Sequence, residues 1–376
     1  MRGSRSSLPS PALGYFAARQ LVRLCDIAGL APGDVATYVD VLIDALGPVA
    51  ARRLDEPPPY PTFLSDDHTP VEYSFAFVPG GAPTLRVLLD PGCGADGLAG
   101  NGRTGLRLVR DMARTWDFST DRLDELEDLF FPDRPKGPLA LWLALELCPG
   151  GVPKVKVYLN PAASGRKRSF ATVREAMRRL GHAEAFSALP PADGFPFLAL
   201  DLGDWETPRA KVYLRHDGLS ATEAAGLSRM PDGPTPAALT EFFRTVAGLD
   251  PSGSEDAVPL TGRPVLTCHA FTGSMTRQPS GFTLHIPVRD YVRHDGEALE
   301  RAVTVLCRHG VDPAPLLGAL PAVTSRLPEE GIGLIAYLAL VHQQDRPPRL
   351  TAYLSSEAYA VRPPLRVPVR SAALVL

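Results

Sequence analysis

Pairs of short strands recur along this chain, and two helical stretches separate each pair from the next. The pairs are predicted at "VEYSFAFV" and "TLRVLLD", "LALWLALELC" and "VPKVKVYLN", "PFLALDLG" and "PRAKVYLR", "PVLTCHAF" and "SGFTLHIPV", and "IGLIAYLALVH" and "LTAYLSS". They repeat about every 65 residues, as in proteins built from one supersecondary unit. Five successive hairpins lose their exposed edges by closing into a barrel. The sequence therefore predicts an α+β fold, a ten-stranded antiparallel β-barrel of five ββαα repeats ringed by outer α-helices.

Residues 1–376 are expected to form a single domain. Helices predicted at about 11–50 precede the barrel repeats, which occupy about 70–356. The net charge of −3 lacks the positive excess that nucleic-acid binding needs. Five scattered cysteines without C-x-x-C spacing indicate reduced thiols, and no apolar run reaches the ~20 residues of a membrane helix. We expect a cytoplasmic monomer or homodimer with neither nucleic acid nor membrane as a partner.

The glycine-rich stretch "LLDPGCGADGLAGNGRTG", residues 88–105, loosely fits three cofactor motifs: the dinucleotide loop, the methyltransferase loop and the P-loop. A dinucleotide loop requires a parallel βαβ unit with an acidic residue about 20 residues later. Here that distance falls in a predicted helix and turn, and Arg103 stands where a P-loop has lysine. The stretch is therefore predicted to be a plain strand-to-helix connection that binds no cofactor.

The acidic run "DELED", residues 124–128, is a second motif-like stretch. It lacks the D-D-x-x-D spacing of the Mg²⁺ motif in all-helical prenyl synthases and lies in a polar predicted helix. A solvated helix face is the expected role. No metal site is predicted.

Cations alternate with apolar residues in the second strand of several hairpins. In "KVKVYL" and "RAKVYL" the charged residues and a final tyrosine share one face, because side chains alternate along a strand. The cations predicted to face the barrel interior are Arg86, Lys154, Lys156, Arg209 and Lys211. A ten-stranded barrel is wide enough to hold a ligand. Few acidic residues lie near these cations in sequence, so an external anion such as diphosphate is expected to balance them.

The tyrosines that end these two strands, Tyr158 and Tyr213, would lie next to such a diphosphate. Their π faces attract positive charge and can shield a carbocation. This combination predicts ionisation of an allylic diphosphate.

With these features the sequence resembles the aromatic prenyltransferases of the αββα-barrel type, specifically the bacterial branch of the dimethylallyl tryptophan synthase family. "VEYSFAF", "TLRVLL", "VKVYLNP" and "RAKVYLR" carry the resemblance most specifically. It implies transfer of a dimethylallyl group from dimethylallyl diphosphate to the indole ring of L-tryptophan or a related indole. It also implies metal-independent ionisation followed by electrophilic aromatic substitution.

The resemblance also implies roles for individual residues. Glu72, which shares a strand face with Ser74 and Ala76, would accept a hydrogen bond from the indole N–H. Fungal members that prenylate indole C4 carry a lysine on the first strand of the second hairpin, where this chain has Trp142, expected to line the acceptor cavity. The diphosphate would be bound by Arg86, Lys156, Arg209 and Lys211, and the carbocation shielded by Tyr158, Tyr213, His285, Tyr337 and Tyr353.

Two other functions stay open at this point. A prenyltransferase of the same fold could use a phenolic or naphthol acceptor, and a non-catalytic barrel could bind an anionic small molecule. The sequence also leaves open the prenylated ring position and the choice between free tryptophan and a tryptophan-containing peptide.

Overall fold

The ten strands of the fold form one closed sheet in the computed structural model, which describes residues 10–273 and 277–365. They are β1 (Val71–Phe77), β2 (Thr84–Leu89), β3 (Leu141–Glu146), β4 (Lys154–Leu159), β5 (Leu198–Leu202), β6 (Arg209–His216), β7 (Val265–Thr272), β8 (Gly281–Ile286), β9 (Ile335–Gln343) and β10 (Arg346–Ser355). Each strand pairs antiparallel with its neighbours in the chain, and β1 also pairs with β10. The predicted ten-stranded antiparallel barrel is confirmed.

Helices precede the first hairpin and separate each hairpin from the next. They are α1 (Leu13–Ile27), α2 (Pro32–Leu46), α3 (Gly97–Trp116), α4 (Asp121–Asp124), α5 (Glu127–Phe130), α6 (Ser169–Arg179), α7 (Ala183–Ser187), α8 (Ala221–Ala224), α9 (Pro236–Ala247), α10 (Asp295–Arg308) and α11 (Ala314–Val323). None of the helices in the described ranges combines the length and apolar composition needed to cross a bilayer.

The acidic run at 124–128 forms parts of two short helices, α4 and α5, instead of one continuous helix. Carboxylates three and four residues apart on a helix repel each other. Two carboxylates of this run form ion pairs with arginines of neighbouring helices: Arg110 contacts Asp124 at 2.6 Å, and Arg179 contacts Asp128 at 2.6 Å. These ion pairs lie at the protein surface.

Residues of each strand alternate between a face that packs on the helices and a face that lines the barrel. On β1, Tyr73 and Phe75 are fully buried in the outer core, and the Tyr73 hydroxyl donates a 2.8 Å hydrogen bond to the carbonyl oxygen of Ala17 in α1. Glu72 and Ser74 line a cavity inside the barrel. The outer apolar core thus fixes which side chains point inward.

The glycine-rich stretch connects β2 to α3, and the next strand, β3, returns antiparallel to β2. This is the predicted strand-to-helix connection. Gly92 has φ +84°, and a Cβ atom there would lie 2.9 Å from the Asn101 carbonyl oxygen and 2.8 Å from Thr104 Cβ. Gly97 has φ +71°, but no atom lies within 4 Å of its would-be Cβ. Gly92 is therefore needed for close packing of the loop on α3.

We expect Gly92→Ala to lower the free energy of unfolding by about 2–4 kcal/mol, because the new methyl group adds overpacking to the strain of positive φ. Gly97→Ala is the matched control, with positive φ but free space, and should lose about 1–2 kcal/mol. Urea denaturation of both variants measures the difference. Equal losses would contradict the packing role of Gly92.

Candidate active site

One end of the barrel interior is lined by cations from the second strands of the first three hairpins. Lys154 and Lys156 lie on the inner face of β4, Arg209 and Lys211 on that of β6, and Arg86 on that of β2. All five were predicted to face inward. The strict alternation of β4 and β6 puts them on one side of each strand, while the intervening valines and alanine pack outward.

Two carboxylates from the first strands balance part of this charge, although few acidic residues lie near the cations in sequence. Glu146 on β3 stands opposite Arg86 in the strand register and accepts a 2.8 Å hydrogen bond from its Nε. Lys154 Nζ lies 3.9 Å from the same carboxylate. Burial raises the pKa of Glu146, but the charge of Arg86 outweighs it and lowers the pKa to about 2.

Asp201 on β5 is the second carboxylate, and it is shared by two cations of β6. Its Oδ2 accepts a 2.5 Å hydrogen bond from Arg209 Nε, and its Oδ1 accepts a 3.0 Å hydrogen bond from Lys211 Nζ. Burial raises the pKa of Asp201, but the charges of Lys211 and Arg209 outweigh it and lower the pKa to about 2. Both carboxylates are therefore ionised at neutral pH.

Positive charge still exceeds negative charge at this end. Arg349 on β10 adds a further cation, and its Nε has no hydrogen-bond partner among the described residues. Burial and the charge of Arg86 lower the pKa of Arg349 to about 9, and burial and the charge of Arg209 hold the pKa of Lys211 well below its usual range. We call this group the cation layer; it consists of Arg86, Lys154, Lys156, Arg209, Lys211 and Arg349, with Glu146 and Asp201.

Trp205 covers the cation layer from the loop between β5 and β6. Its ring lies 5.0 Å from the Arg209 guanidinium carbon, 5.4 Å from Lys154 Nζ and 5.7 Å from Lys211 Nζ. Its Nε1 donates a 2.8 Å hydrogen bond to the Val155 carbonyl oxygen, which anchors the loop to β4. The indole face attracts these cations and excludes part of the solvent.

Next to the cation layer, aromatic side chains form a continuous belt around the interior. Successive ring centroids are between 5.2 and 6.3 Å apart. We define this aromatic belt, in order of contact, as Trp142, Phe197, Tyr158, Tyr213, His285, Tyr353 and Tyr337. All the predicted shield residues and Trp142 are therefore brought together.

Burial keeps His285, Tyr213 and Tyr353 of the belt uncharged at neutral pH. Burial lowers the pKa of His285 to about 3, and burial raises the pKa values of Tyr213 and Tyr353 well above their usual range. The Lys156 ammonium of the cation layer lies beside the belt, 5.1 Å from the centre of the Tyr158 ring and 3.3 Å from its hydroxyl. The belt thus presents neutral π faces and hydroxyls beside the cations.

Glu72 lines two cavities, one with Trp142, Tyr337 and Tyr353 of the belt and one with Arg86 and Lys156 of the cation layer. Its side chain is almost fully buried, with 6% exposure. Burial raises its pKa to about 8, although the nearby Arg289 acts in the opposite direction. A carboxyl group in such a place can accept a hydrogen bond and ionises near neutral pH.

Sequence reasoning missed six residues that belong to this interior: Glu146, Asp201, Phe197, Trp205, Arg289 and Arg349. Phe197 directly precedes β5, and Asp201 lies on that strand's inner face, so alternation along "PFLALDLG" could have found both. Glu146 could have been found in the same way in β3. Arg289 follows the end of β8, where strand periodicity gives no signal.

Comparison with known proteins gives matches over most of the chain. The family model described as tryptophan dimethylallyltransferase matches residues 35–315. Prenyltransferase PriB, solved as a ternary complex with L-tryptophan and dimethylallyl thiolodiphosphate, is 62% identical with a TM-score of 0.92, covering 94% of this chain and 99% of PriB.

Two synthases with a named product give similar matches. The 5-dimethylallyl tryptophan synthase from Streptomyces coelicolor, in complex with DMASPP and Trp, is 64% identical with a TM-score of 0.90, covering 96% of this chain and 100% of the other. The 6-dimethylallyltryptophan synthase from Micromonospora olivasterospora is 36% identical with a TM-score of 0.85, covering 94% and 99%. The chain therefore belongs to the tryptophan dimethylallyltransferase family.

Proposed function

We propose that this chain transfers a dimethylallyl group from dimethylallyl diphosphate to the indole ring of L-tryptophan and needs no metal ion. The observation that carries the proposal is that one interior brings together the cation layer, the aromatic belt and Glu72. Neighbouring cavities share lining residues, including Lys156 and Tyr353 on one side and Glu72 and Tyr158 on the other. Donor, reactive carbon and acceptor can therefore lie in a row.

The cation layer would bind the diphosphate and assist its departure. When the bond between C1 of the prenyl group and the diphosphate oxygen breaks, both electrons stay on the oxygen, and charge-assisted hydrogen bonds from lysine and arginine stabilise that charge. The six cations and two carboxylates of this layer leave a positive excess larger than the charge of a trianionic ligand, so no divalent ion is needed to balance it. Lys156, Lys211, Arg86, Arg209 and Arg349 are the residues that we assign to this role.

The aromatic belt would hold the allyl cation after ionisation. Tyr213, His285 and Tyr353 carry no charge at neutral pH, so their rings, with that of Tyr158, stabilise the cation through the π faces and do not repel it. Closely packed rings also exclude water, which would otherwise react with the cation. A site that only stored an anion would not need this continuous row of aromatic rings beside the cations.

Glu72 would then act on the acceptor. Attack by the indole ring on the allyl cation forms the new C–C bond and spreads positive charge to the ring nitrogen; the C–H bond at the attacked carbon then breaks, its electrons restore the aromatic ring, and the proton goes to the departed diphosphate. A carboxylate that accepts the N–H hydrogen bond becomes more stabilising as this charge develops. A naphthol or simple phenol has no N–H at this position, and the family match also favours the indole acceptor.

Lys211→Ala should reduce kcat/KM for the prenyl donor by about 10- to 150-fold, because a charge-assisted hydrogen bond of about 1.5–3 kcal/mol to the diphosphate is lost. Lys167→Ala, at an exposed site outside the barrel, is the matched control and should be unchanged. Both are measured by product formation in EDTA. Full activity of Lys211→Ala, or complete loss of wild-type activity in EDTA, would contradict the proposed donor site.

Glu72→Gln should lower kcat with L-tryptophan on the order of 100-fold, about 2.7 kcal/mol, because the amide can accept the hydrogen bond but carries no charge. The donor KM should stay nearly the same, since the cation layer is untouched. Steady-state kinetics with both substrates varied separates these effects. If kcat stays near the wild-type value, the role of Glu72 in charge stabilisation is wrong.

The pH dependence of kcat/KM in the wild type should reveal the ionisation of Glu72. Because burial places the pKa of Glu72 at about 8, the ionised form is scarce at pH 6 and grows as the pH rises through this value. We therefore expect kcat/KM for L-tryptophan to increase with pH up to an apparent pKa near 8. Glu72→Gln, measured over the same range, corrects for titration of the substrates and should lack this increase; an unchanged profile would exclude Glu72 as its origin.

A further inference from the structure

The glycine-rich connection after β2 begins with a buried carboxylate that has no role in the function described so far. Asp90 directly follows β2 and is 2% exposed. Its backbone N–H donates a 3.1 Å hydrogen bond to the Pro70 carbonyl oxygen, so the strand pairing continues to this residue. Asp90 therefore shares the inward face of Leu88, which lines the cavity that also contains Glu72.

The neighbouring strand brings Trp142 to this carboxylate. Leu89 of β2 pairs with Leu143 of β3, and the next step of the same register leads to Asp90 and Trp142. Trp142 Nε1 is buried and makes no hydrogen bond of regular geometry among the described residues. Burial raises the pKa of Asp90 to about 6, while the Thr62 hydroxyl and the Trp142 indole N–H act in the opposite direction. The indole N–H thus has an ionised acceptor beside it at neutral pH.

The Asp90 carboxylate also holds the segment that packs on Trp142. Its Oδ2 accepts a 2.6 Å hydrogen bond from the Thr62 hydroxyl, and Thr62 Oγ1 accepts a 3.2 Å hydrogen bond from the backbone N–H of Leu64. Leu64 and Trp142 belong to one small apolar cluster, and the Trp142 ring lies 5.2 Å from that of Phe197. Apolar packing holds the ring in place but does not distinguish its edges. Only a hydrogen bond at the N–H edge has a direction.

We propose that Asp90 is a positioning residue that holds the Trp142 ring in one orientation and thereby selects which carbon of the acceptor indole is prenylated. This inference rests on the proposed function and deepens it. An acceptor whose N–H is bound by Glu72 can still turn about that single contact. Trp142 lines the same cavity and limits this rotation. Because the attacking carbon must come within about 3–3.5 Å of the allyl cation, a change in this wall changes which carbon reacts.

The test compares two substitutions of similar size at one position. Asp90→Leu removes the acceptor, whereas in Asp90→Asn the amide oxygen can accept the indole N–H and the amide nitrogen can donate to Thr62. Regioisomers formed from L-tryptophan and dimethylallyl diphosphate are separated by chromatography and identified by NMR. In Asp90→Leu the ratio of the main regioisomer to the others should fall about tenfold or more, the scale of one hydrogen bond to a charged group. Asp90→Asn should stay within about threefold of the wild type.

Two further variants separate this contact from a general disturbance of the fold. Asp96→Leu, at an exposed aspartate of the same connection, is the matched control and should keep the wild-type ratio. Trp142→Phe retains a ring but has no N–H, so its ratio should also fall. The double variant of Asp90→Leu and Trp142→Phe should lose no more than Trp142→Phe alone, because both changes remove the same contact. Independent, additive losses would contradict the proposal.

The contact itself is measured without catalysis. The chain has three tryptophans, so labelling them with ¹⁵N gives three indole N–H signals, and Trp142→Phe identifies one of them. This proton should move upfield in Asp90→Leu and stay near its wild-type position in Asp90→Asn. An unchanged signal or an unchanged regioisomer ratio in Asp90→Leu overturns the inference.

A variant that does not fold is replaced by a milder one. Should Asp90→Leu fail to fold, Asp90→Ser serves instead, because its shorter side chain withdraws the acceptor from the indole N–H; the same changes are expected, and their absence counts against the proposal. If the wild type forms no prenylated product from L-tryptophan, the proposed function fails, and with it the selection of a ring carbon. The indole N–H signal then still decides whether Asp90 holds Trp142.

Discussion

The pairing of β1 with β10 is the interaction on which the rest of the structure depends. It turns five hairpins into a closed barrel and so divides every strand into an outer face and an inner face. Apolar side chains of the outer face pack against the helices, and this packing fixes which side chains of each strand point inward. The inner face is then free to carry charges and rings that an ordinary core would not tolerate, because their partners come from neighbouring strands or from a ligand.

The assignment of side chains to the inner and outer faces was correct where it depended only on the alternation of residues within one strand. The alternation in "KVKVYL" and "RAKVYL" correctly placed Lys156, Tyr158, Lys211 and Tyr213 inside. It could not show that Asp201 meets Lys211, because that contact depends on the register between β5 and β6. The consequence for function is substantial, since part of the interior charge is balanced within the protein and only the excess is available for diphosphate.

Residues that come from loops were harder to predict for a different reason. Trp205 lies in the loop between β5 and β6, and Arg289 lies in the turn after β8. The alternation of side chains along a strand does not extend to either position. These two side chains reach the barrel interior only in the closed tertiary structure, so their positions cannot be read from the sequence of one strand. The family resemblance implied roles for strand residues but none for these two loop residues. Trp205 contacts cations with its ring, whereas Arg289 is itself a cation that contacts the Tyr337 ring.

The two ends together create an electrostatic gradient along the barrel. Positive charge is concentrated in the cation layer, whereas Glu72 is a carboxyl group beside the belt that ionises most readily when a positive charge approaches. In the proposed reaction, the allyl cation would be attracted both by the departing diphosphate in the cation layer and by the Glu72 carboxylate. The aromatic belt would let the cation move without a charged trap, and the indole ring that we assign to Glu72 would be the nucleophile that it meets.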